Sequence, residues 1–243
     1  MVEDESVLER GARGIDDVVR WGNRDDDVAD VRYGRSDLPL VVLIHGGFWR
    51  PAYDRVHVRA TTEALAAEGF TVAAPEYRRI PGDPDATTDD VAAALAALPG
   101  LLDGRHDGRV VVLGHSAGGH LALWAASAAP APGLVLTVSL GGVADLRLAE
   151  AQHLGDGATT AFLGGPAEAR PDLDPVRLAP PATPVALVHG ADDAIVPSSQ
   201  ARAYADVVPH ARLTVVARAG HFAVIDPLAD AWAAVVGAVR SAP

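Results

Sequence analysis

A serine, an aspartate and a histidine, the side chains that cooperate in covalent acyl transfer, each follow an apolar run in this chain. The serine is Ser116, inside Gly114-His115-Ser116-Ala117-Gly118, a G-x-S-x-G pattern directly after Arg109-Val110-Val111-Val112-Leu113. The β-branched run reads as a buried strand, and the segment from Gly119 to Ala128 reads as the helix behind it. A serine in so tight a turn has a strained backbone, and the flanking glycines let neighbouring chains pass close by. The strain lifts the hydroxyl out of the sheet, at a helix N-terminus that favours developing negative charge. The aspartate and histidine come later. His189-Gly190-Ala191-Asp192-Asp193 follows the run Val185–Val188, and Ala219-Gly220-His221-Phe222 follows the last strand-like run. Such chemistry needs a weak nucleophile, a base to take its proton, and a carboxylate to orient that base. His45-Gly46-Gly47-Phe48-Trp49, after Leu40–Ile44, adds a turn whose N–H groups can face inward. Donors from Gly47 or Phe48, and from Ala117, are expected to stabilise an oxyanion.

The order Ser, Asp, His is that of α/β hydrolases. From about Leu38 to Asp226 the chain resembles the kynurenine formamidase-like α/β hydrolases, carried by the match of His45–Trp49 to HGGxW and by the region Gly114–His120. The resemblance implies the hydrolase fold, an acyl-enzyme mechanism and small ester or formamide substrates. In similar hydrolases the acid lies four residues after the H-G histidine and three before the valine of V-P, which selects Asp193. Asp192 then reads as a solvated or capping carboxylate, and Asp145 as a more remote candidate at another strand end. The catalytic set expected is Ser116, Asp193 and His221, with Gly47, Phe48 and Ala117 as the oxyanion hole. Phe48 and Trp49 are candidates for the substrate pocket, with core packing the alternative for both.

The remaining candidates have plainer readings. His45 and His115 are expected to hydrogen-bond loop backbone, and His120 and Trp124 to pack on the helix after Ser116. His57, His106, His153 and His210 lack metal-binding spacing, so neither a metal nor any other cofactor is expected. Arg78-Arg79 is expected to form a surface ion pair rather than a carboxylate site. Asp25-Asp26-Asp27 reads as a solvated turn.

Composition narrows the class. The chain has 243 residues, is 49% hydrophobic but only 5% aromatic, and so must build its core largely from Ala, Val and Leu. It lacks cysteine, and all 20 basic residues are arginine, which excludes thiolate, disulfide and lysine Schiff-base chemistry. The net charge of −12 argues against nucleic acid or an anionic membrane as partner. No apolar run is long enough to span a bilayer, and the acidic start Met1-Val2-Glu3-Asp4-Glu5 is unlike a signal peptide, so a cytoplasmic enzyme is expected. Its partner would be a small ester or amide, with homodimerisation left open.

These residues need a scaffold. Residues 1 to about 14 read as a polar lead-in. Val18–Trp21 and Val28–Tyr33 suggest a peripheral antiparallel hairpin. Further strands are expected at Leu40–Ile44, Thr71–Ala74, Arg109–Leu113, Leu134–Ser139, Val185–Val188 and Arg212–Val216. Helices are expected near Val56–Ala67, Thr88–Leu98, Gly119–Ala128, Ser198–Val207 and Pro227–Val239, with Thr88, Asp89 and Asp90 forming an N-terminal cap and acidic first turn. The alternation predicts one α/β-hydrolase domain over residues 1–243, with a mostly parallel sheet and helices on both faces. Residues 144–184, rich in Gly and Pro, break it. They are expected to form a small lid with short helices near Leu146–His153 and Thr159–Leu163. The activity expected is hydrolysis of short-chain esters or small amides. An arylformamidase, a small peptidase and a catalytically inactive ligand-binding protein of the same fold are the alternatives.

Overall fold

The computed structural model describes residues 3–243, so Met1 and Val2 of the acidic N-terminus lie outside the described residues. At its centre is an eight-stranded sheet, comprising β1 (Asp17–Arg20), β2 (Val28–Arg32), β3 (Leu40–Ile44), β4 (Thr71–Pro75), β5 (Val110–His115), β6 (Leu134–Leu140), β7 (Val185–Gly190) and β8 (Ala211–Val216). Their spatial order is β1-β2-β4-β3-β5-β6-β7-β8. The hairpin β1–β2 is antiparallel and β2 joins β4 antiparallel, whereas every pairing from β4 to β8 is parallel.

Burial explains why the central strands read as continuous apolar runs. β3, β4 and β5 are buried at every position, because helices cover both faces. The pleat sends alternate residues to opposite sides. Leu40, Val42, Ile44, Val110 and Val112 join the core on one face, while Val41, Leu43, Val111 and Leu113 join that on the other. The edge strands β1 and β8 carry exposed positions.

The covering helices are α1 (Arg59–Ala67), α2 (Pro84–Leu101), α3 (Ala117–Ala128), α6 (Ser199–Val207) and α7 (Trp232–Arg240). Between β6 and β7 lie α4 (Leu146–Ala151), α5 (Ala158–Leu163) and three single 3-10 turns, where the sequence suggested two short helices. Leu146, Ala149, Phe162 and Leu163 sink into the same core as α2 and α3.

Three expectations about local structure need correction. Helix α2 begins at Pro84, not Thr88. The Asp83 carboxylate accepts from the Ala86 N–H, and proline at the first turn has no N–H to leave unsatisfied. Thr88 therefore sits inside the helix, and Asp90 is buried, bonded to the Arg78 guanidinium and paired with Arg24. Helix α7 starts at Trp232 rather than Pro227, since Asp226 holds the preceding residues in turns through its carbonyl and carboxylate. In the acidic turn, Asp27 is buried and accepts from the backbone N–H and side chain of Arg24, while Asp25 and Asp26 are exposed.

Between β6 and β7 one carboxyl works against the fold. Asp174 is fully buried; its Oδ1 accepts from the Leu146 N–H at 3.0 Å, and its Oδ2 has no partner. Burial pushes its pKa up from 3.8 to about 6, with Asp145 adding repulsion. A carboxyl raised in the folded state costs stability as pH rises through the interval between its unfolded and folded values. We expect the stability of Asp174→Asn relative to wild type to improve by on the order of 2 kcal/mol between pH 4 and pH 7. Thermal unfolding at both pH values checks this; an offset independent of pH would contradict it.

Candidate active site

Ser116 joins β5 to α3 with φ 55° and ψ −120°, a left-handed backbone that is strained for a side-chain residue. Its neighbours dictate the glycines. A Cβ on Gly114 would strike the Gly118 carbonyl, and one on Gly118 would strike the Ile44 carbonyl at the end of β3. The turn is pinned by the Ser116 N–H donating to the Leu140 carbonyl at 2.9 Å and by the Val143 N–H donating to the Ser116 carbonyl.

Asp193 and His221 meet across the ends of β7 and β8. His221 Nδ1 donates to Asp193 Oδ2 at 2.8 Å, and both side chains are almost wholly buried. Asp193 Oδ1 accepts from the Ile195 and Val196 N–H groups, at 3.0 and 2.7 Å. Burial alone would raise the Asp193 carboxyl. Bonds from His189, His221 and the Val196 amide outweigh it and hold the group well below the usual carboxylate range. Asp192 donates its backbone N–H to the Ala219 carbonyl, and Asp145 caps α4 through the Leu148 N–H. Of the three carboxylates weighed, Asp193 is the one that hydrogen-bonds His221.

Ser116 and His221 line one cavity of about 190 Å³ with Gly47, Phe48, Tyr53, His57, His115, Ile195 and Phe222, together with Glu5 and Leu8 from the N-terminal segment. The loop after β3 enters it through three successive left-handed residues, Gly47 (φ 112°), Phe48 (φ 50°) and Trp49 (φ 54°). Among the described residues, no hydrogen bond takes the N–H of Gly47, Phe48 or Ala117.

Phe48 lines the cavity, but Trp49 does not. Its ring is 3% exposed, stacks on Phe162 at 4.7 Å and meets His120 edge-on at 5.2 Å. Trp49 borders a separate void of about 40 Å³ beside α5. Consecutive left-handed residues turn Phe48 and Trp49 in different directions, which the motif could not reveal. The packing alternative holds for Trp49, as it does for Trp124 and His120, whose Nε2 donates to the Leu173 carbonyl. Burial lowers the His120 pKa to about 4, keeping it neutral.

The loop after β3 rests on a buried polar network. His45 Nδ1 donates to the Gly46 carbonyl at 2.9 Å, its Nε2 lies 3.1 Å from Glu76 Oε1, and its ring stacks on Tyr77 at 4.3 Å. The Tyr77 hydroxyl donates to the His45 carbonyl at 2.8 Å. Glu76 also pairs with Arg79 and Arg55, and Asp30 gathers Arg55 and Arg59. Burial pushes the Glu76 carboxyl up, but the His45 and Arg79 contacts outweigh it and hold it well below its usual range. Arg79 is thus an inward strut, and half-buried Arg78 pairs with the buried Asp90, so neither arginine forms the surface ion pair expected of Arg78-Arg79. His115 bonds the His221 carbonyl through Nε2, and burial with the nearby His221 keeps its pKa far below the ordinary value.

Sequence reasoning missed Glu76, Tyr53, His57 and the N-terminal segment. Glu76 directly follows a strand, a position that marks it in retrospect. Tyr53 lies in an irregular stretch without period, and His57 in a single 3-10 turn, Arg55–Val58, at the start of the expected helix Val56–Ala67. The lead-in read as merely polar, yet Val7 is buried and Glu3 hydrogen-bonds the backbone of both Ala194 and His221.

A mostly parallel eight-stranded sheet with an antiparallel second strand, carrying a left-handed serine after its fifth strand and a buried Asp–His pair after the seventh and eighth, is the α/β-hydrolase fold. Residues 27–207 match the family BD-FAE, and the chain belongs to that family. It is similar to a solved structure of esterase B from Lactobacillus rhamnosis, with a TM-score of 0.77 at 22% identity over 98% of this chain and 89% of that one. It is 33% identical over 138 residues to the non-reducing polyketide synthase mapC of Penicillium brevicompactum, covering 49% of this chain and 6% of that protein. It is 36% identical over 99 residues to the lipase LipV of Mycobacterium tuberculosis, covering 41% of this chain and 36% of that protein. The chain therefore aligns with only a minor part of the length of mapC and of LipV. Among the described residues, no helix is long and apolar enough to cross a membrane.

Proposed function

We propose that this protein is a serine hydrolase of short-chain carboxylic esters, acting through an acyl-enzyme. The observation that carries the reading is the shared cavity, where Ser116 and His221 stand beside the unused amides of the loop after β3. Ser116 Oγ attacks the ester carbonyl while His221 Nε2 takes its proton, and Asp193 steadies the resulting imidazolium. The N–H groups of Gly47, Phe48 and Ala117 receive the oxyanion. Collapse expels the alcohol, which carries away the proton from His221. Water then attacks the acyl-enzyme with His221 as base, releasing the acid and restoring Ser116.

The names of esterase B and LipV, and the family match, support ester chemistry over amide chemistry. The cavity, about 190 Å³ and walled by Phe48, Tyr53 and Phe222, is smaller than pockets that enclose drug-sized ligands. We expect acetyl to butyryl p-nitrophenyl esters to be preferred over octanoyl and longer. Measured kcat/KM decides, because discrimination is differential binding of the transition state. A value rising through decanoate would contradict the small cavity. The HGGxW-type motif keeps an arylformamidase as the second reading. N-formylkynurenine turned over well above the best ester would put that reading first.

A further inference from the structure

We infer that Glu3 is a positioning residue that staples together the two loops bearing the acid and the base; this rests on the proposed roles of Asp193 and His221. Glu3 Oε1 accepts from the Ala194 N–H at 2.8 Å, one residue past Asp193, and Glu3 Oε2 accepts from the His221 N–H at 2.8 Å. One carboxylate thus ties the main chain of both loops whose side chains meet in the 2.8 Å bond between His221 and Asp193. Two charge-assisted bonds from a single rigid group fix a distance that separate loop contacts would leave loose.

The segment carrying Glu3 is anchored independently. Val7 is buried in the core beneath α1 and α7, and Arg10 pairs with Asp226 at 2.8 Å, at the far end of the loop that carries His221. Glu5 and Leu8, on either side of Val7, wall the cavity around Ser116. Gly220 is the complement of Glu3. A Cβ at residue 220 would fall onto the Glu3 carboxylate, and the three nearest atoms it would meet all belong to Glu3. Glycine at 220 therefore leaves room for the staple, over and above marking a turn.

A double-mutant cycle tests this in the full-length chain, with p-nitrophenyl butyrate as substrate. Glu3→Ala is expected to lower kcat by about 10- to 100-fold, the scale of a small misplacement of catalytic groups, with KM changed less than about threefold. Its melting temperature should fall by no more than about 4 °C. Glu3→Gln keeps the volume but turns an amide donor toward one of the two N–H groups, so its kcat should be intermediate, and it serves should the alanine variant not fold. Gly220→Ala should match the loss of Glu3→Ala, and adding it to Glu3→Ala should cost less than about twofold, because the clash has gone. A second readout needs no turnover: the NMR signal of the His221 Nδ1 proton should exchange with water faster in Glu3→Ala and Glu3→Gln. Full kcat and unchanged exchange in Glu3→Ala would overturn the inference, as would independent, multiplying losses from residues 3 and 220. If wild type neither hydrolyses esters nor takes a fluorophosphonate on Ser116, the functional reading fails instead, and the exchange rate alone decides the role of Glu3.

Discussion

Ser116→Ala is expected to reduce kcat for p-nitrophenyl butyrate by about 10⁶-fold, to the residual rate that oxyanion donors and binding alone sustain. The reason lies in the turn. The residue at φ 55° after β5 lines the cavity beside His221, and the strain there is borne by the backbone whatever the side chain. Alanine meets the same left-handed penalty as serine, so the fold should survive with a melting temperature within a few degrees of wild type. The hydrogen bonds holding the turn, to Leu140 and from Val143, are main-chain bonds that the substitution leaves in place. Steady-state kinetics and thermal unfolding of one preparation separate lost chemistry from lost structure. Turnover within tenfold of wild type would remove Ser116 from the mechanism.

Asp193→Asn carries the second largest expected effect, a fall in kcat of about 10⁴-fold. The side chain does two jobs through different oxygens. Oδ2 accepts a hydrogen bond from the His221 Nδ1–H, while Oδ1 caps the loop through Ile195 and Val196. An amide keeps an acceptor for one job but must present N–H₂ to the other. If it turns that group toward His221, the imidazole is held in the wrong tautomer and its cation loses a partner. The substitution also removes a carboxylate held well below its ordinary pKa, which contributes stability above the unfolded value and loses it as pH falls. The Asn variant should therefore lose less stability than wild type on acidification. Asp192→Asn, whose backbone rather than side chain bonds Ala219, should cost less than about tenfold in kcat. The reverse ranking would transfer the acid role to Asp192.

The sequence betrayed the site where strand and turn signals coincide. Val110–Val112 is β-branched, and Leu113 is followed by Gly114, so the run reads as a strand stopping at a tight turn, and Ser116 follows. The same logic located Asp193 after Val185–Val188 and His221 after the last strand. What stayed hidden depends on contacts between segments distant in sequence. Glu3 is one acidic residue among several in a polar stretch, and its meaning arises only because Val7 and Arg10 anchor that stretch against α1, α7 and Asp226. Glu76 gains its role from its neighbour Arg79 and from His45 and Arg55, which come from the loop after β3. Trp49 belongs to a motif that suggests a pocket, yet three left-handed residues send it into the core against Phe162. At α2, Thr88 with two aspartates imitated a cap, while the cap actually used was Asp83 before Pro84. Local propensity fails there because two adjacent segments offer the same signal, and only packing selects between them.

Intact-protein mass spectrometry after exposure to a fluorophosphonate, with peptide mapping, tests the central claim most directly. The account predicts a single adduct on the peptide bearing Ser116, absent in Ser116→Ala and formed far more slowly in Asp193→Asn. An unmodified Ser116 in folded wild-type protein, or an adduct on another residue, would contradict it.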